Sequence, residues 1–339
     1  MGQHHHGQDP HQHGHGHGHG CGQDHGPGDA HGPGHGHGHA HGPGDAHGHG
    51  PGDAHGPGHH ADLDWAELAG YLEGQAELFA PLNRQAAAWL ATRQPEPGLV
   101  VDVGSGPGVV SCLLAETFPG ARVVALDGSG PLLERARARA EELGLTDRFD
   151  TLEAELPDGL GDLDYPADLM WASRSLHHLG DQRAALAAFA ERLAPGGTLA
   201  VVEGGLPSRF LPRDLGIGRP GLQSRIDAAE DRWFTERMRT SVPGSVPETE
   251  DWPGLLTAVG LRDATSRTFL LDLPAPVSDA ARAYAVGQFQ RARGTLADFL
   301  DAADLATVDR LLDADDKASL HHRTDLFVLA AQTVHVARR

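Results

Sequence analysis

Glycines that alternate with other residues form the strongest chemical signal in this chain. Gly104, Gly106 and Gly108 directly follow a short apolar run and precede a helical pattern. Glycine is needed where a turn is tight and the backbone must come within contact distance of a ligand. Asp127 ends the next apolar run, where a carboxylate can accept both hydroxyls of a ribose. The pattern therefore predicts a site for a ligand that carries a ribose.

A pair of histidines could supply a general base. His177 and His178 directly follow the fourth strand-like run. In a sheet of parallel strands, that position lies at the edge where ligands bind, and imidazole is the side chain that most often serves as a base. Since adjacent residues on a helix diverge by about 100°, at most one ring faces a reacting group. We predict that His177 is the base. The competing interpretation is that the pair is structural.

Five motif-like segments follow one another between about residues 100 and 205. They are Val-Val-Asp-Val-Gly-Ser-Gly-Pro-Gly (100–108), Val-Ala-Leu-Asp-Gly-Ser (124–129), Leu-Glu-Ala-Glu-Leu (152–156), the segment 167–181 with Leu-His-His-Leu, and Leu-Ala-Pro-Gly-Gly-Thr-Leu-Ala-Val-Val-Glu (193–203). This series resembles the class I S-adenosylmethionine-dependent methyltransferases of small molecules. The competing interpretation is a nucleotide-binding Rossmann domain with another chemistry.

The resemblance implies transfer of a sulfonium methyl to a nucleophile by in-line displacement. It places the loop 104–106 against the methionine part of S-adenosylmethionine, Asp102 near its amine, and Asp127 on its ribose. Glu155 or the adjacent backbone would meet the adenine, and Ser173 would border the methionine and the acceptor. The segment from His177 to Asp181 resembles the base-containing segment of small-molecule O-methyltransferases. The predicted cofactor-binding residues are Asp102, Gly104, Ser105, Gly106, Asp127, Gly128, Ser129, Glu155, Leu156 and Ser173.

Strands that alternate with helices predict an α/β fold with a doubly wound, Rossmann-like parallel sheet. Strand-like runs occupy 99–103, 122–127, 149–153, 167–172 and 198–203, with helical patterns at about 108–117, 130–143 and 182–193. Helical insertions are predicted at about 206–248 and 277–313, and strands at 267–273 and 326–336 resume the sheet. A helical cap at 61–94, broken near Pro81, precedes this methyltransferase-like domain, which spans 95–339.

Aromatic residues in the added helical segments could line an acceptor pocket. They are Tyr71, Trp233, Phe234, Phe289 and Phe299. Such a pocket favours a small organic acceptor, whereas the competing interpretation assigns these rings to the core. The identity of the acceptor and the methylated atom, O, N or C, stay open.

The first sixty residues differ in composition from the rest of the chain. They hold 19 of the 24 histidines and 20 of the 45 glycines, and no Val, Ile, Leu, Phe, Trp or Tyr. A segment with nothing to bury does not offset its ordering entropy, so we expect residues 1–60 to be a disordered tail. Neutral imidazole binds Ni²⁺ and Zn²⁺. The tail therefore either binds metal as its function or has only incidental metal affinity, and no catalytic metal is predicted.

Charge and composition exclude several classes of protein. The formal net charge of −20 argues against a nucleic-acid partner. The absence of long apolar runs argues against a membrane-spanning segment, so we expect a cytoplasmic location. Two other classes of function stay open: a metal-storage or metal-sensing protein with a ligand-binding body, and a nicotinamide oxidoreductase. The second is disfavoured because position 109 is Val, where the dinucleotide fingerprint has glycine.

Overall fold

A computed structural model describes residues 65–339, with side chains described from residue 69 onward. The predicted tail at 1–60 lies outside the described residues. Within the described part, a seven-stranded sheet has the order β3-β2-β1-β4-β5-β7-β6. The strands are β1 (Leu99–Val103), β2 (Arg122–Asp127), β3 (Phe149–Glu153), β4 (Ala167–Ser173), β5 (Leu193–Arg209), β6 (Arg262–Leu273) and β7 (Val328–Arg338). The predicted α/β fold with a doubly wound sheet is confirmed.

The prediction of a fully parallel sheet is wrong for its last strand. β1 to β5 pair in parallel, but β7 is antiparallel to both β5 and β6. Leu273, at the end of β6, lies opposite Val328, at the start of β7. The helices between them therefore return the chain at the same edge of the sheet, and β7 must run in the reverse direction. The apolar pattern alone carries no such information about direction.

Ten helices of the described chain pack around the sheet. They are α1 (Trp65–Leu78), α2 (Ala80–Ala91), α3 (Val109–Thr117), α4 (Gly130–Glu142), α5 (Gln182–Glu191), α6 (Leu222–Trp233), α7 (Arg239–Ser241), α8 (Trp252–Ala258), α9 (Asp279–Thr295) and α10 (Ala302–Leu312). The predicted break near Pro81 is confirmed, since α1 ends and α2 begins there. Proline in the first turn of α2 costs little, because that N–H has no partner within the helix.

Alternate residues of the central strands point to opposite faces of the sheet, as the pleat requires. Val100 and Trp171 belong to a buried cluster with residues of α2, α3 and α4. Val101 and Met170 belong to a second cluster, with residues of α5 and α8. Both faces are thus covered, which explains why these strands are nearly continuous apolar runs. No helix of the described part is long and apolar enough to cross a membrane.

Candidate active site

The glycine loop connects β1 to α3 through left-handed backbone. Gly104, Gly106 and Gly108 have φ values of +72°, +54° and +75°, a region that L-residues avoid. A Cβ at Gly104 would lie 2.8 Å from the Cβ of Ser175, and one at Gly108 would lie 2.4 Å from the Cβ of Ala136 on α4. A Cβ at Gly106 would meet no described atom within 4 Å. Two glycines are therefore required by packing, and the middle one borders open space.

Asp127 organises this loop from the end of β2. Its Oδ2 accepts a hydrogen bond from the N–H of Gly106 at 2.8 Å, and its Oδ1 accepts one from the N–H of Ser129 at 2.9 Å. A carboxylate has about four acceptor positions, so two remain for further donors. The predicted ribose contact is compatible with this geometry, because Asp127 can hold the loop and still accept two hydroxyls.

Asp102 lies beneath the loop rather than at its surface. It is 2 % exposed, and the Ser111 hydroxyl donates to its Oδ2 at 2.6 Å. Burial raises the pKa of Asp102 to about 7, an effect that the Ser111 hydrogen bond opposes and the negative charge of Asp127 reinforces. The predicted contact with the amine of the cofactor stays a prediction.

Three serine hydroxyls around the glycine loop are buried without a hydrogen-bond partner among the described residues. They belong to Ser105, Ser129 and Ser175. Buried polar atoms almost always have partners, so three orphaned hydroxyls around one loop indicate a polar ligand. Ser105 and Ser129 were predicted from the sequence. Ser175 was missed, although its position two residues beyond β4 could have indicated it.

The adenine side of the predicted site contains an acidic side chain. The Glu155 carboxylate covers Gly128, where an added Cβ would lie 3.0 Å from Oε1. Leu156 packs against the core cluster on the α5 face, and Ser173 is half-buried at the end of β4. These residues share the carboxyl edge of the sheet with Asp127. Their contacts with a cofactor stay predictions.

His177 forms a pair with a carboxylate that the sequence analysis missed. Its Nδ1 lies 3.1 Å from Oε2 and 3.3 Å from Oε1 of Glu203. The exposed fraction is 21 % for the His177 side chain and 9 % for that of Glu203. Glu203 ends the predicted run of β5 at the same sheet edge, and that position was the available signal. A carboxylate that accepts from Nδ1–H leaves Nε2 as the proton acceptor.

The loop that carries His177 is clamped from outside by the first insertion. The Arg239 guanidinium donates to the carbonyl oxygens of His177, Leu179 and Gly180 at 2.7, 2.9 and 3.0 Å. Arg239 directly follows a π-helical turn at Phe234–Met238, a feature frequent at functional sites. The Phe234 ring centroid lies 6.1 Å from that of His177. The insertion thus fixes the histidine loop and brings an apolar ring to the histidine.

The predicted aromatic residues do not form one pocket wall. Phe234 lies beside His177, and Tyr71 bonds to Gln288 of α9. Phe289 is buried in the core, Trp233 packs against that core, and the Phe299 ring is covered by the guanidinium groups of Arg232 and Arg237. Phe289, Trp233 and Phe299 therefore contact the core or surface arginines, as the competing interpretation expected for core rings.

Metal ligands do not cluster in the described part of the chain. No group of three or more His, Cys, Asp or Glu residues within it could hold an ion. The histidine-rich segment predicted to bind Ni²⁺ or Zn²⁺ lies outside that part.

Comparison with known proteins agrees with this geometry. A family model described as a methyltransferase domain matches residues 101–199. A trans-aconitate 2-methyltransferase of Methylobacterium nodulans is 34 % identical over 202 residues, which cover 58 % of this chain and 69 % of that protein. One from Streptomyces coelicolor is 35 % identical over 37 % of this chain and 41 % of its own length. A demethylmenaquinone methyltransferase of Thermus thermophilus is 36 % identical over 32 % of this chain and 47 % of its own length.

The chain belongs to the class I S-adenosylmethionine-dependent methyltransferases. The predicted resemblance is therefore confirmed. The match spans less than half the length of the Streptomyces and Thermus relatives.

Proposed function

We propose that this protein transfers the methyl group of S-adenosylmethionine to a hydroxyl of a small organic acceptor. The observation that carries the proposal is the His177–Glu203 pair, which lies at the same sheet edge as the glycine loop and its orphaned hydroxyls. Two relatives are named for trans-aconitate and demethylmenaquinone, both small molecules. The net charge of −20 supports a small acceptor over a nucleic acid, and we place the activity in the cytoplasm.

The residues of the glycine loop fit the methyl donor. Asp127 would hold the ribose hydroxyls, the backbone at 104–106 would contact the methionine part, and Glu155 would meet the adenine. The open space above Gly106 admits a ligand against the backbone. When bound, the cofactor supplies an electrophilic methyl group, so the protein chiefly aligns the partners and excludes water.

His177 acts on the acceptor rather than on the donor. Its Nε2 would accept the proton of the acceptor hydroxyl, in a transfer that releases S-adenosylhomocysteine. The Glu203 carboxylate holds the Nδ1–H tautomer and stabilises the imidazolium that results. Glu203 is itself held, because its Oε1 accepts from the N–H of Leu176 at 3.1 Å and its carbonyl oxygen bonds to Nε2 of His335 at 3.1 Å. A base of this kind favours O-methylation, since hydroxyls must lose a proton.

The experiment that tests this function is transfer of a labelled methyl group. The full chain is incubated with labelled S-adenosylmethionine and a panel of small hydroxyl, amine and acidic carbon compounds. We expect label in hydroxyl compounds. Transfer should be lost in Glu203→Gln and should stay unchanged in Glu142→Gln, which is a control at an exposed position of α4. Binding of S-adenosylhomocysteine without transfer to any compound would favour a ligand-binding sensor instead.

We also propose that the segment 1–60 binds Ni²⁺ or Zn²⁺ and takes no part in the transfer. Its alternating glycines and histidines support this, since several imidazoles of one segment can bind the same ion. Titration of Ni²⁺ into the full chain and into a chain lacking 1–60 tests the assignment. Equal binding by both would contradict it.

A further inference from the structure

The carboxylate that pairs with His177 comes from an irregular point of β5. The register between β5 and β7 shifts there, so that Glu203 and Gly204 together oppose Thr333. Gly204 has a φ of +69°, a left-handed conformation that interrupts an extended strand and that glycine tolerates. Such a β-bulge bends its strand and re-aims a side chain. Glu203 therefore lies where a regular ladder does not set the direction of its carboxylate.

Contacts from the two neighbouring strands fix the backbone around Glu203. On the β4 side, the N–H of Arg174 donates to the carbonyl oxygen of Val202 at 3.0 Å. On the β7 side, Nε2 of His335 lies 3.1 Å from the carbonyl oxygen of Glu203. A carbonyl oxygen accepts and cannot donate, so Nε2 carries the proton. A side chain thus bonds to the bulge, where the backbone ladder is interrupted.

Ser266 fixes the other nitrogen of the same imidazole ring. It lies directly opposite His335 in the pairing of β6 with β7, and its Oγ is 2.7 Å from Nδ1 of His335. Burial lowers the pKa of His335, so the ring is neutral near pH 7 and carries one proton. Because that proton is on Nε2, Nδ1 accepts and the Ser266 hydroxyl donates. The contacts therefore define a single tautomer of His335.

His335 lies too deep in the protein to act on a substrate directly. It is 8 % exposed, and its ring centroid lies 6.3 Å from that of Trp252 on α8. Both of its ring nitrogens bond to the chain itself. Its connection to the proposed chemistry runs through Glu203, whose carboxylate lies 3.1 Å from Nδ1 of His177. Any effect of His335 on methyl transfer must therefore pass through Glu203.

We propose that His335 is a positioning residue for methyl transfer, whose Nε2–H holds the bulge so that the Glu203 carboxylate meets Nδ1 of His177. This inference rests on the proposed function. Without that donor, the carbonyl of Glu203 would lose a partner at a free-energy cost, so its peptide would turn toward another donor and move the carboxylate. The competing interpretation is that His335 and Ser266 only tie β7 to β6.

Two substitutions of His335 separate positioning from packing. The amide of His335→Gln extends far enough to donate where Nε2 does, whereas that of His335→Asn is shorter and reaches toward Ser266 only. With the acceptor found by label transfer, we expect kcat to fall roughly 10–10²-fold in His335→Asn and less than about threefold in His335→Gln. Thr268→Val is the matched control and should leave kcat unchanged, since the Thr268 hydroxyl bonds to that of Thr333 between the same two strands at 3.0 Å.

NMR of the imidazole nitrogens in the full chain reads the same arrangement without any acceptor. The signals of His335 and His177 are assigned by their loss in His335→Gln and His177→Gln, at a pH above the usual pKa range of imidazole. In the wild type we expect the proton on Nε2 of His335 and on Nδ1 of His177. His177 should keep this tautomer in His335→Gln and in Thr268→Val, and should lose its preference for it in His335→Asn.

The proposal is overturned if the His177 tautomer and kcat survive in His335→Asn, or if both are lost in His335→Gln as well. It is also overturned if wild-type His335 carries its proton on Nδ1, a result that does not depend on whether His335→Asn folds. Urea unfolding shows which variants are folded. Absence of methyl transfer to every compound of the panel would contradict the proposed function instead, and the two tautomers would still decide the role of His335.

Discussion

The two ends of the site are built in different ways. On the donor side, backbone N–H groups of the glycine loop bond to Leu126 and Asp127, which follow within 22 residues. On the proposed acceptor side, Arg239 reaches His177 across 62 residues, and in the helices predicted to cover the site Tyr71 and Gln288 are 217 residues apart. Local backbone geometry thus fixes the donor end, whereas contacts between distant segments build the proposed acceptor end. We therefore expect acceptor specificity to change without disturbing cofactor binding.

The largest effect that would distinguish the donor end from the acceptor end is expected on the transfer rate when His177, the proposed base, is substituted. His177→Ala should lower kcat by roughly 10²–10⁴-fold, because the acceptor hydroxyl loses its proton acceptor. Affinity for S-adenosylhomocysteine should stay unchanged. Kinetics with the acceptor found by label transfer checks this. His178→Ala is the internal control, and equal, small losses in both variants would leave alignment alone as the mechanism.

A second prediction sharpens the steric account of the donor end. Gly108→Ala should lower the free energy of unfolding by about 2–5 kcal/mol, because its Cβ would overlap Ala136 and its backbone is left-handed. Gly106→Ala should cost only about 1–2 kcal/mol, since its Cβ enters open space. Urea unfolding compares them. Equal losses of unfolding free energy in the two variants would show that the close contact between Gly108 and α4 does not cause the larger loss.

The buried acid beneath the loop gives a prediction for pH. The pKa of Asp102 is raised to about 7, so the folded state binds its proton more tightly than the unfolded state. Its contribution is most favourable below pH of about 4 and is lost as pH rises through about 7, by up to roughly 4 kcal/mol. Asp102→Asn should remove this part of the pH dependence.

Urea unfolding of wild type and variant from pH 4 to 8 measures that difference. Asp227, whose burial raises its pKa to about 6, and His335, whose burial lowers its pKa, titrate in both proteins and cancel. Parallel curves for the two proteins would show that Asp102 does not change its proton affinity on folding.

The smallest effect is expected from the histidine-rich segment. Deletion of residues 1–60 should change the free energy of unfolding and the affinity for S-adenosylhomocysteine little, because that segment has no Val, Ile, Leu, Phe, Trp or Tyr to bury. Binding of Ni²⁺ near neutral pH should largely disappear. Thermal unfolding and calorimetry check both. A weakened affinity for S-adenosylhomocysteine would show that the first sixty residues contribute to the site.

The same contrast explains what could be predicted from the sequence. The first five strands, the glycine loop and Asp127 follow from apolar runs, glycines and an acid at short spacing. Glu203 and Ser175 required knowledge of which strand ends share an edge. The direction of β7 and the clamp by Arg239 depend on how distant segments pack, which no local pattern encodes.

Titration of S-adenosylhomocysteine into the full chain tests the central claim most directly. We expect one molecule to bind per chain, NADH not to bind, and Asp127→Ala to lose roughly 1.5–3 kcal/mol of binding free energy, as is typical for hydrogen bonds to a charged group. Wild-type protein that does not bind S-adenosylhomocysteine, or an Asp127→Ala variant with unchanged affinity, would contradict the assignment of the glycine loop to the methyl donor.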